Sequence, residues 1–161
     1  MNIVRKMKDE DIESVERIAK ITWRDTNKGI MDEEFLEEFL KIGYSKQAIK
    51  SRAQDTIFFV AEYNQRVVGF VNIMPNYFGY NKSVLAAIYV EPIYQRKGIG
   101  TMLINTIIEQ LPKNCKLFAD LERKNKGGKK FFEKMGFTLF KKIDAKIGNY
   151  KFDRIRVVFE N

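Results

Sequence analysis

The sequence has no histidine, one cysteine and three prolines among its 161 residues. Without histidine, a His-based catalytic triad, a His general base and most zinc sites are excluded. Because Cys115 is alone, neither a disulfide within the chain nor a cysteine metal cluster can form. No metal site is therefore expected, and any chemistry must use carboxylates, hydroxyls, lysines or backbone groups.

Long apolar runs are also lacking. No segment approaches the roughly 18 or more apolar residues of a membrane helix, and the first residues lead into a structured-looking pattern without a signal peptide. We therefore expect a cytoplasmic protein with no membrane partner. With 161 residues and 45% hydrophobic composition, the chain is long enough for one core and too short for two. Residues 1–161 are predicted to form a single domain.

Positive charge is in excess, since 29 Lys and Arg residues against 21 Asp and Glu residues give a formal net charge of +8. Such an excess suits polyanion binding and equally suits a solvated, lysine-rich surface. The lysines are spread along the chain, and no aromatic-interleaved platform for nucleic acid is visible. A nucleic-acid partner is therefore not expected, and a basic nucleic-acid-binding domain is kept only as the third of three functional hypotheses.

The apolar periodicity predicts an α/β (α+β) fold. Helical spacing follows two predicted N-caps, Asp9 and Asp32, and recurs in residues 101–111 and 126–135, while residues 46–52 add another helical turn or two. Aromatic and β-branched runs predict strands over residues 3–5, 57–61, 66–74, 83–90, 116–122, 138–147 and 150–159. The order βααβββαβαββ describes a mixed sheet of six to seven strands with about four helices.

The most informative segment joins the predicted strand 83–90 to the predicted helix 101–111. It reads Gln95-Arg96-Lys97-Gly98-Ile99-Gly100. Where a strand ends and a helix begins, several N–H groups point outward unpaired, and the helix dipole adds roughly half a positive charge. The glycines let a ligand approach the backbone closely, and Arg96 and Lys97 add full charges. This turn predicts a phosphate-bearing ligand.

Two other phosphate-binding motifs do not fit the sequence. Position 103 is Leu where the dinucleotide fingerprint has its third glycine, and no acidic residue follows in a context that would contact a ribose. The run Gly127-Gly128-Lys129 lacks the upstream glycine and the following Ser or Thr of a P-loop. Neither a Rossmann site nor a P-loop is therefore expected.

The Gly-bearing turn resembles the acetyl-CoA motif of the Gcn5-related N-acetyltransferase (GNAT) family, whose core is Gln/Arg-x-x-Gly-x-Gly/Ala. A second segment is similar to the family's Asn-x-x-Ala-x-x-Phe-Tyr-x-x-x-Gly-Phe pattern and reads Asn125-Lys126-Gly127-Gly128-Lys129-Lys130-Phe131-Phe132-Glu133-Lys134-Met135-Gly136-Phe137. The two motifs stand in the family's order, separated by one helix and one strand. The resemblance covers most of the chain from about Ile57 onward and implies a GNAT-like domain that binds acetyl-CoA.

The resemblance also implies which residues hold the cofactor. The pantetheine arm would lie along the end of the strand 83–90, and the pyrophosphate would sit on N–H groups of residues 96–101. Asn125 would contact the cofactor, although a helix N-cap is the alternative role and the two are compatible. The expected cofactor-binding residues are Ile88, Tyr89, Val90, Gln95, Arg96, Lys97, Gly98, Ile99, Gly100, Thr101, Asn125 and Phe132.

The general base is sought among carboxylates. Protein N-terminal acetyltransferases of the family often carry a Glu five residues before the motif's Asn, and Asp120 matches that position. The strand period of two puts Asp120 and Glu122 on one face, so either could take a proton directly or through a water. The alternative is a salt-bridged or solvated strand end next to Arg123 and Lys124. Glu91 is a third candidate, for which loop surface is the alternative.

The general acid departs from the family pattern. Many members carry a Tyr in the second motif that protonates the departing thiolate, and here that position is Phe132, which has no proton to donate. Another hydroxyl, a water or the ammonium intermediate must then supply the proton. Tyr44, Tyr89 and Tyr150 are the candidate hydroxyls, and the sequence does not rank them.

Two functional hypotheses lead. The first is an enzyme that moves the acetyl group of acetyl-CoA to a primary amine, either a small-molecule amine such as a polyamine or a peptide or protein amine, by direct attack in a ternary complex. The second, motivated by Phe132, is an acyl-CoA-binding module with little or no catalysis. A homodimer through the terminal strands is a further possible assembly, because an exposed sheet edge permits pairing.

Overall fold

The computed structural model describes residues 2–161, and within them the chain forms seven strands and five α-helices. The strands are β1 (Asn2–Lys6), β2 (Ile57–Tyr63), β3 (Arg66–Met74), β4 (Lys82–Val90), β5 (Lys116–Glu122), β6 (Thr138–Ile147) and β7 (Tyr150–Glu160). The helices are α1 (Ile12–Asn27), α2 (Glu33–Tyr44), α3 (Lys46–Asp55), α4 (Ile99–Gln110) and α5 (Lys126–Lys134), with short 3-10 helices at Asp9–Asp11 and Pro92–Tyr94.

The described strands form one mixed sheet in the order β1-β2-β3-β4-β5-β7-β6. β4 and β5 run parallel, with Val84 opposite Phe118, whereas β1–β2, β2–β3, β5–β7 and β6–β7 are antiparallel. The predicted fold class and the sequence of seven strands along the chain are confirmed, whereas the described residues form five α-helices and not about four, since α3 adds a third helix between β1 and β2. The helical turns expected over residues 46–52 are a complete ten-residue helix, because the Ser45 hydroxyl accepts a hydrogen bond from Ala48 N at 3.3 Å and starts α3.

By backbone contacts the chain divides into two compact units. The first unit comprises the chain up to Ile73 together with Ala87–Ile107, and the second comprises Met74–Ala86 together with Ile108–Asn161. That residues 1–161 act as one domain stays a prediction.

The core of the first unit surrounds β3. Residues 67–73 are all buried, including Phe70 at 0% exposure, so both faces of β3 are covered. Helix α1 contributes Val15 and Ile18, and α4 contributes Leu103, all fully buried. The apolar spacing in these helices therefore reports real core positions.

The core of the second unit is built from β5, α5 and aromatic rings. Leu117 is fully buried, and the ring of Phe137 lies 5.0 Å from that of Phe132 and 5.5 Å from that of Phe159. Gly136, with φ +89°, ends α5 in the left-handed region and turns the chain into β6. The sequence-predicted helix stop is confirmed.

The start of α1 differs from the prediction that Asp9 is its N-cap, which is wrong. A 3-10 turn over Asp9–Asp11 precedes the helix, and Asp11 accepts a hydrogen bond from Lys8 N at 2.8 Å. Asp11 is 4% exposed and pairs with Arg5 Nη1 at 2.7 Å and Nη2 at 2.9 Å. Burial alone would raise the pKa of Asp11, but the Arg5 and Lys8 hydrogen bonds outweigh it and hold the pKa below its ordinary value.

Among the described residues, no helix is long and apolar enough to cross a membrane. The expected cytoplasmic location stays a prediction.

Candidate functional site

The turn between β4 and α4, in the first unit, has the backbone geometry of an anion site. Arg96 and Gly98 both adopt left-handed conformations, with φ +64° and +79°. A methyl group added at Gly98 would meet no atom within 4 Å, so the space beside the turn is open. Met102 N donates to Gly98 O at 3.0 Å, and the N–H groups of residues 99–101 precede this helical bond. These groups, backed by the helix dipole, fit a pyrophosphate.

Gln95, the first residue of the motif, ties the turn to β4. Its Nε2 donates to the carbonyl oxygen of Val90 at 2.9 Å. The carbonyl of Val90 therefore already has a donor within the protein, and the side chain of Gln95 supports the strand end from which the turn departs.

Lys97 lies against two aromatic rings. Its Nζ is 5.1 Å from the ring centre of Tyr63 and 5.5 Å from that of Tyr94, and these rings are 5.5 Å apart. Cation–π attraction of this kind is worth about 0.5–1 kcal/mol at an exposed site. The ammonium group of Lys97 is thus held next to the turn by its aromatic neighbours.

Glu91 is buried, so the loop-surface interpretation of this residue is wrong. It is 3% exposed, and its Oε1 accepts from Arg17 Nε at 3.1 Å and Nη2 at 2.8 Å, with Arg66 Nη2 at 3.4 Å from Oε2. Arg17 also donates to Val67 O at 2.8 Å, and Glu91 N donates to Val68 O at 2.9 Å. The carboxylate therefore joins α1 to β3 and to the strand end that precedes the turn.

Gly69 of β3 sits directly against the backbone of β4. A Cβ atom there would lie 3.0 Å from Tyr89 O, 3.2 Å from Val90 Cγ2 and 3.4 Å from Leu103 Cδ1. Only glycine leaves room for this approach. The position of residues 89–90, to which the resemblance assigns the pantetheine arm, thus depends on a missing side chain in the neighbouring strand.

Tyr89 belongs to an aromatic cluster in the first unit. Its ring centre lies 5.3 Å from that of Phe70, 6.0 Å from that of Tyr44 and 6.2 Å from that of Trp23. The hydroxyl of Tyr44 lies 3.4 Å from that of Tyr89. The hydroxyls of Tyr44 and Tyr89, two of the three candidate proton donors, therefore lie next to each other near the end of β4.

In the second unit, each candidate base on β5 is paired with an arginine of β7. Asp120 accepts from Arg156 through both carboxylate oxygens, at 2.7 and 2.8 Å, whereas Glu122 accepts from Arg154 Nε at 2.9 Å through Oε1. The shared face predicted for the two carboxylates is consistent with the register, which sets Asp120 opposite Arg156 and Glu122 opposite Arg154. Asp120 and Glu122 are therefore salt-bridged, as the alternative interpretation expected. Their partners are Arg156 and Arg154 of β7, not the sequence neighbour Arg123.

Tyr150, the third candidate hydroxyl, begins β7. Its ring lies 4.7 Å from that of Phe152, and the guanidinium of Arg154 lies 4.0 Å from the centre of the Phe152 ring. Burial raises the pKa of Tyr150, and the negative charge of Glu122 raises it further against an opposing contribution from Arg154. The phenol of Tyr150 consequently keeps its proton throughout the neutral pH range.

Asn125 caps α5, because its Oδ1 accepts from Gly128 N at 2.9 Å. Phe132 is 7% exposed, and its ring packs against Phe131 at 5.5 Å and Phe137 at 5.0 Å. The cap is confirmed, while cofactor contacts of both residues stay predictions.

The arginines around these carboxylates were missed by sequence reasoning. Arg154 and Arg156 alternate on β7 with the same period of two as Asp120 and Glu122 on β5. The alternation could have identified these pairs only if the register between β5 and β7 had been known. No local sequence pattern gives that register. Arg17, in the middle of an amphipathic helix, gave no signal at all.

A mixed α/β sheet with a backbone anion site where β4 meets α4 defines a class of protein that binds a phosphate-bearing cofactor. Comparison with known proteins specifies the class. The model of the acetyltransferase (GNAT) family matches residues 15–137. The chain therefore belongs to the acetyltransferase (GNAT) family. It is an acetyl-CoA-dependent N-acetyltransferase, which confirms the predicted family, enzyme class and cofactor and does not favour a module without catalysis.

Individual proteins that are similar to this chain are also named N-acetyltransferases. A spermidine N(1)-acetyltransferase from Thermoplasma acidophilum is 30% identical over 146 residues, which cover 84% of this chain and 88% of that protein. An uncharacterized N-acetyltransferase from Methanocaldococcus jannaschii is 31% identical over 140 residues, covering 74% of this chain and 62% of that protein. The solved structure of the PaiA N-acetyltransferase from Thermoplasma acidophilum in complex with coenzyme A superimposes with a TM-score of 0.83 at 23% identity, covering 100% and 99% of the two chains.

Proposed function

We propose that this enzyme acetylates a primary amine of a small aliphatic polyamine. The supporting observation is the 30% identity, over 84% of the chain, to a protein named spermidine N(1)-acetyltransferase. A chain without histidine is consistent with this chemistry, because amine acetylation requires a neutral amine and a proton acceptor, which a carboxylate can supply. The alternative acceptor, a peptide or protein amine, is included in the test below.

The open space and left-handed backbone at Gly98 fit a pyrophosphate, so we assign its binding to the N–H groups of residues 96–101, with Arg96 adding charge. The pantetheine arm would lie along residues 88–90, and Asn125 and Phe132 complete the proposed set. When bound, acetyl-CoA supplies a thioester whose acetyl group passes to the amine as the C–N bond forms and the C–S bond breaks. The protein's part is to orient the amine and to move protons.

Of the two candidate bases, Glu122 is better suited than Asp120. Both oxygens of Asp120 are held by Arg156, whereas the hydrogen bond from Arg154 to Glu122 uses only Oε1. The bidentate guanidinium pair engages one lone pair on each oxygen of Asp120 and fixes the orientation of the carboxylate, whereas Arg154 leaves Oε2 of Glu122 without a hydrogen bond from its guanidinium. We therefore propose that Glu122 receives the amine's proton through Oε2, directly or through a water, and that Asp120 fixes Arg156.

The proton for the departing thiolate must come from a group other than Phe132. The candidate hydroxyls are the Tyr44–Tyr89 pair in the first unit and Tyr150 in the second. Single Phe variants of the three separate these sources, because loss of the donor lowers kcat about 10²-fold or more while leaving the affinity for CoA unchanged.

The test of the proposed function is thiol release from acetyl-CoA with a panel of amines. The panel holds spermidine, spermine, putrescine, an amino sugar and a peptide with a free N-terminus. We expect kcat/KM to be highest for spermidine or spermine. Turnover confined to the peptide, or none with any amine of the panel, would overturn the polyamine assignment.

A further inference from the structure

A buried ion pair in the first unit joins helix α1 to the end of β4. Glu91 directly follows β4 and is 3% exposed. Its Oε1 accepts hydrogen bonds from Arg17 Nε at 3.1 Å and Nη2 at 2.8 Å, so the planar guanidinium meets one oxygen with two N–H groups. A buried ion pair often stabilises a fold no better than apolar side chains of similar volume. Stability alone therefore does not account for the pair.

The same arginine also binds the neighbouring strand. Arg17 Nη2 donates to Val67 O at 2.8 Å, and Glu91 N donates to Val68 O at 2.9 Å. One guanidinium therefore bridges a side chain at the end of β4 and a carbonyl group of β3. Helix α1 also packs against the 3-10 helix Pro92–Tyr94. The chain that follows β4 is thus held between β3 and α1.

The cofactor turn, by which we mean the turn between β4 and α4, depends on this held segment. Tyr94 N donates to Glu91 O at 2.8 Å, and Gln95 Nε2 donates to Val90 O at 2.9 Å. The next residue, Arg96, is left-handed with φ +64°, a conformation that persists only where the surrounding structure imposes it. The direction in which the N–H groups of the turn point is therefore set by where Glu91 is held.

Two arginines approach the carboxylate of Glu91, and Arg17 is the closer one. Arg66 Nη2 lies 3.5 Å from Oε1 and 3.4 Å from Oε2, and its side chain is 52% exposed, against 36% for Arg17. Attraction over the longer distances, beside water, is weaker and is screened by salt. Arg17 therefore supplies most of the charge compensation, and of the two arginines it is the one that belongs to α1.

We propose that Arg17 and Glu91 are positioning residues of the acetyl transfer. The pair fixes the segment after β4 against α1 and β3, so that the cofactor turn presents its N–H groups to the pyrophosphate. This inference rests on the proposed function in placing the pyrophosphate at residues 96–101, and it holds for any amine acceptor. Its specific consequence is that the affinity for acetyl-CoA depends on helix α1, which contributes no residue to the proposed cofactor-binding set.

The test measures CoA binding by isothermal titration calorimetry without an amine, and steady-state kinetics with one. Arg17→Met removes the guanidinium and keeps much of the length of the side chain. We expect the Kd for CoA and the KM for acetyl-CoA to rise about tenfold, with kcat at saturating acetyl-CoA within threefold of wild type. Arg17→Lys retains the charge and a donor, so it should recover most of the loss.

Two other arginines provide matched controls. Arg24, also on α1, is half-exposed and pairs with Glu37 of α2, so Arg24→Met removes an ion pair from the same helix. Arg66→Met removes the second cation near Glu91 and leaves α1 intact. Both variants are expected to keep the Kd for CoA within threefold of wild type. A tenfold rise in Arg24→Met would reveal general loosening of α1, and the same rise in Arg66→Met would reveal charge compensation alone; either result overturns the inference.

Stability is measured separately, because Arg17→Met leaves the buried charge of Glu91 uncompensated. The double variant Arg17→Met/Glu91→Gln removes both charges, so its urea midpoint should be higher than that of Arg17→Met. It should still bind CoA about tenfold more weakly than wild type, since the connection between α1 and β4 is missing. A lower urea midpoint with an unchanged Kd for CoA in both variants would leave the pair a purely structural role and overturn the inference.

The outcomes also separate this inference from the proposed function, because CoA binding is measured without an amine. If wild-type enzyme acetylates spermidine and the Arg17 variants bind CoA as tightly as wild type, the inference is overturned and the polyamine function stands. If the Arg17 variants bind CoA weakly and wild-type enzyme acetylates no polyamine, the inference stands and the polyamine function is overturned.

Discussion

At the scale of single residues, arginines determine what the neighbouring carboxylates can do. Arg156 takes both oxygens of Asp120, Arg154 takes one oxygen of Glu122, and Arg17 with Arg66 neutralises buried Glu91. Removing one partner of a buried pair leaves an uncompensated charge, so such positions tolerate change poorly. The carboxylate that retains an unused oxygen is the one expected to do chemistry.

We therefore predict different effects for the two β5 carboxylates. Glu122→Gln should lower kcat by about 10²-fold, because the amide cannot accept the amine's proton. Asp120→Asn should lower the free energy of unfolding by about 1 kcal/mol and change kcat by less than tenfold. Initial rates measured from pH 6 to 9.5 and urea unfolding separate these effects. Equal losses of kcat, or none in either variant, would contradict the assignment.

Gly69 provides a second prediction. In Gly69→Ala, the new methyl group would press on Tyr89 O at 3.0 Å, so β3 and β4 must move apart. We expect a loss of about 1–3 kcal/mol in unfolding free energy and a higher KM for acetyl-CoA. The control is Gly43→Ala in α2, where the nearest atom is 3.9 Å away and the helix should gain about 0.5–1 kcal/mol. An unchanged KM in Gly69→Ala would mean that the strand position does not matter for the cofactor.

At the scale of elements, the ends of the helices carry information that the helix interiors do not. Asp32 accepts from Phe35 N at 3.2 Å and Asn125 from Gly128 N at 2.9 Å, so both predicted caps are present. A Cβ atom at Gly128 would lie 2.8 Å from Asn125 Nδ2. The family pattern has Ala where this chain has Gly128, and the smaller residue leaves space for the side chain of the cap.

The double role proposed for Asn125 can be divided by substitution. Asn125→Asp retains an acceptor for Gly128 N, whereas Asn125→Ala loses about 1 kcal/mol of unfolding free energy with the cap. If the amide also donates to the cofactor, both variants should raise the KM for acetyl-CoA, since neither can donate. If Asn125→Asp behaves as wild type in both measurements, the residue is only a cap.

The 3-10 turn before α1 gives a prediction of pH dependence. The pKa of Asp11 is lowered in the folded protein, so its contribution to stability is present above its unfolded pKa of 3.8 and disappears as the pH falls through the lower folded value. Asp11→Asn should therefore be less stable than wild type by about 1–3 kcal/mol at pH 7. The difference should shrink below about pH 4. Urea unfolding at both pH values tests this, with exposed Glu10→Gln as the control.

Several structural elements could be predicted from the local sequence pattern alone, whereas others could not. The strand over residues 66–74 and the turn at Gly98 follow from composition and period, because burial on both faces selects β-branched residues and the turn needs glycine. The length of helix α3, ten residues, was underestimated from the sequence, because the segment is polar and has a single buried residue, Ile49. The arginine partners of Asp120 and Glu122 depend on the register between strands that are distant in sequence, which no local pattern gives.

At the scale of the whole molecule, the chain's positive charge is not uniform. Carboxylates are concentrated on α2 in the first unit, while β6 in the second unit carries Lys141, Lys142 and Lys146 on exposed positions. β6 is the last strand in the sheet order, and lysines on an edge strand oppose pairing with a second strand. The homodimer through terminal strands stays a prediction that this charge does not favour.

Assembly is checked by light scattering after gel filtration at low and high salt. If β6 strands pair despite their lysines, dimer should increase with salt, because screening removes the repulsion. Lys142→Glu should then shift the equilibrium toward dimer at low salt. A monomer at every salt concentration would exclude pairing through β6.

The left-handed backbone of Arg96 has a consequence for motion. An L-residue in that conformation costs about 1 kcal/mol or more, and no glycine relieves it at φ +64°. The turn is then among the places where the ligand-free enzyme opens most readily, and its amide hydrogens should exchange with deuterium quickly. Cofactor that accepts hydrogen bonds from these amides would slow their exchange, so the rate of labelling at residues 96–101 reports occupancy of the site without any turnover.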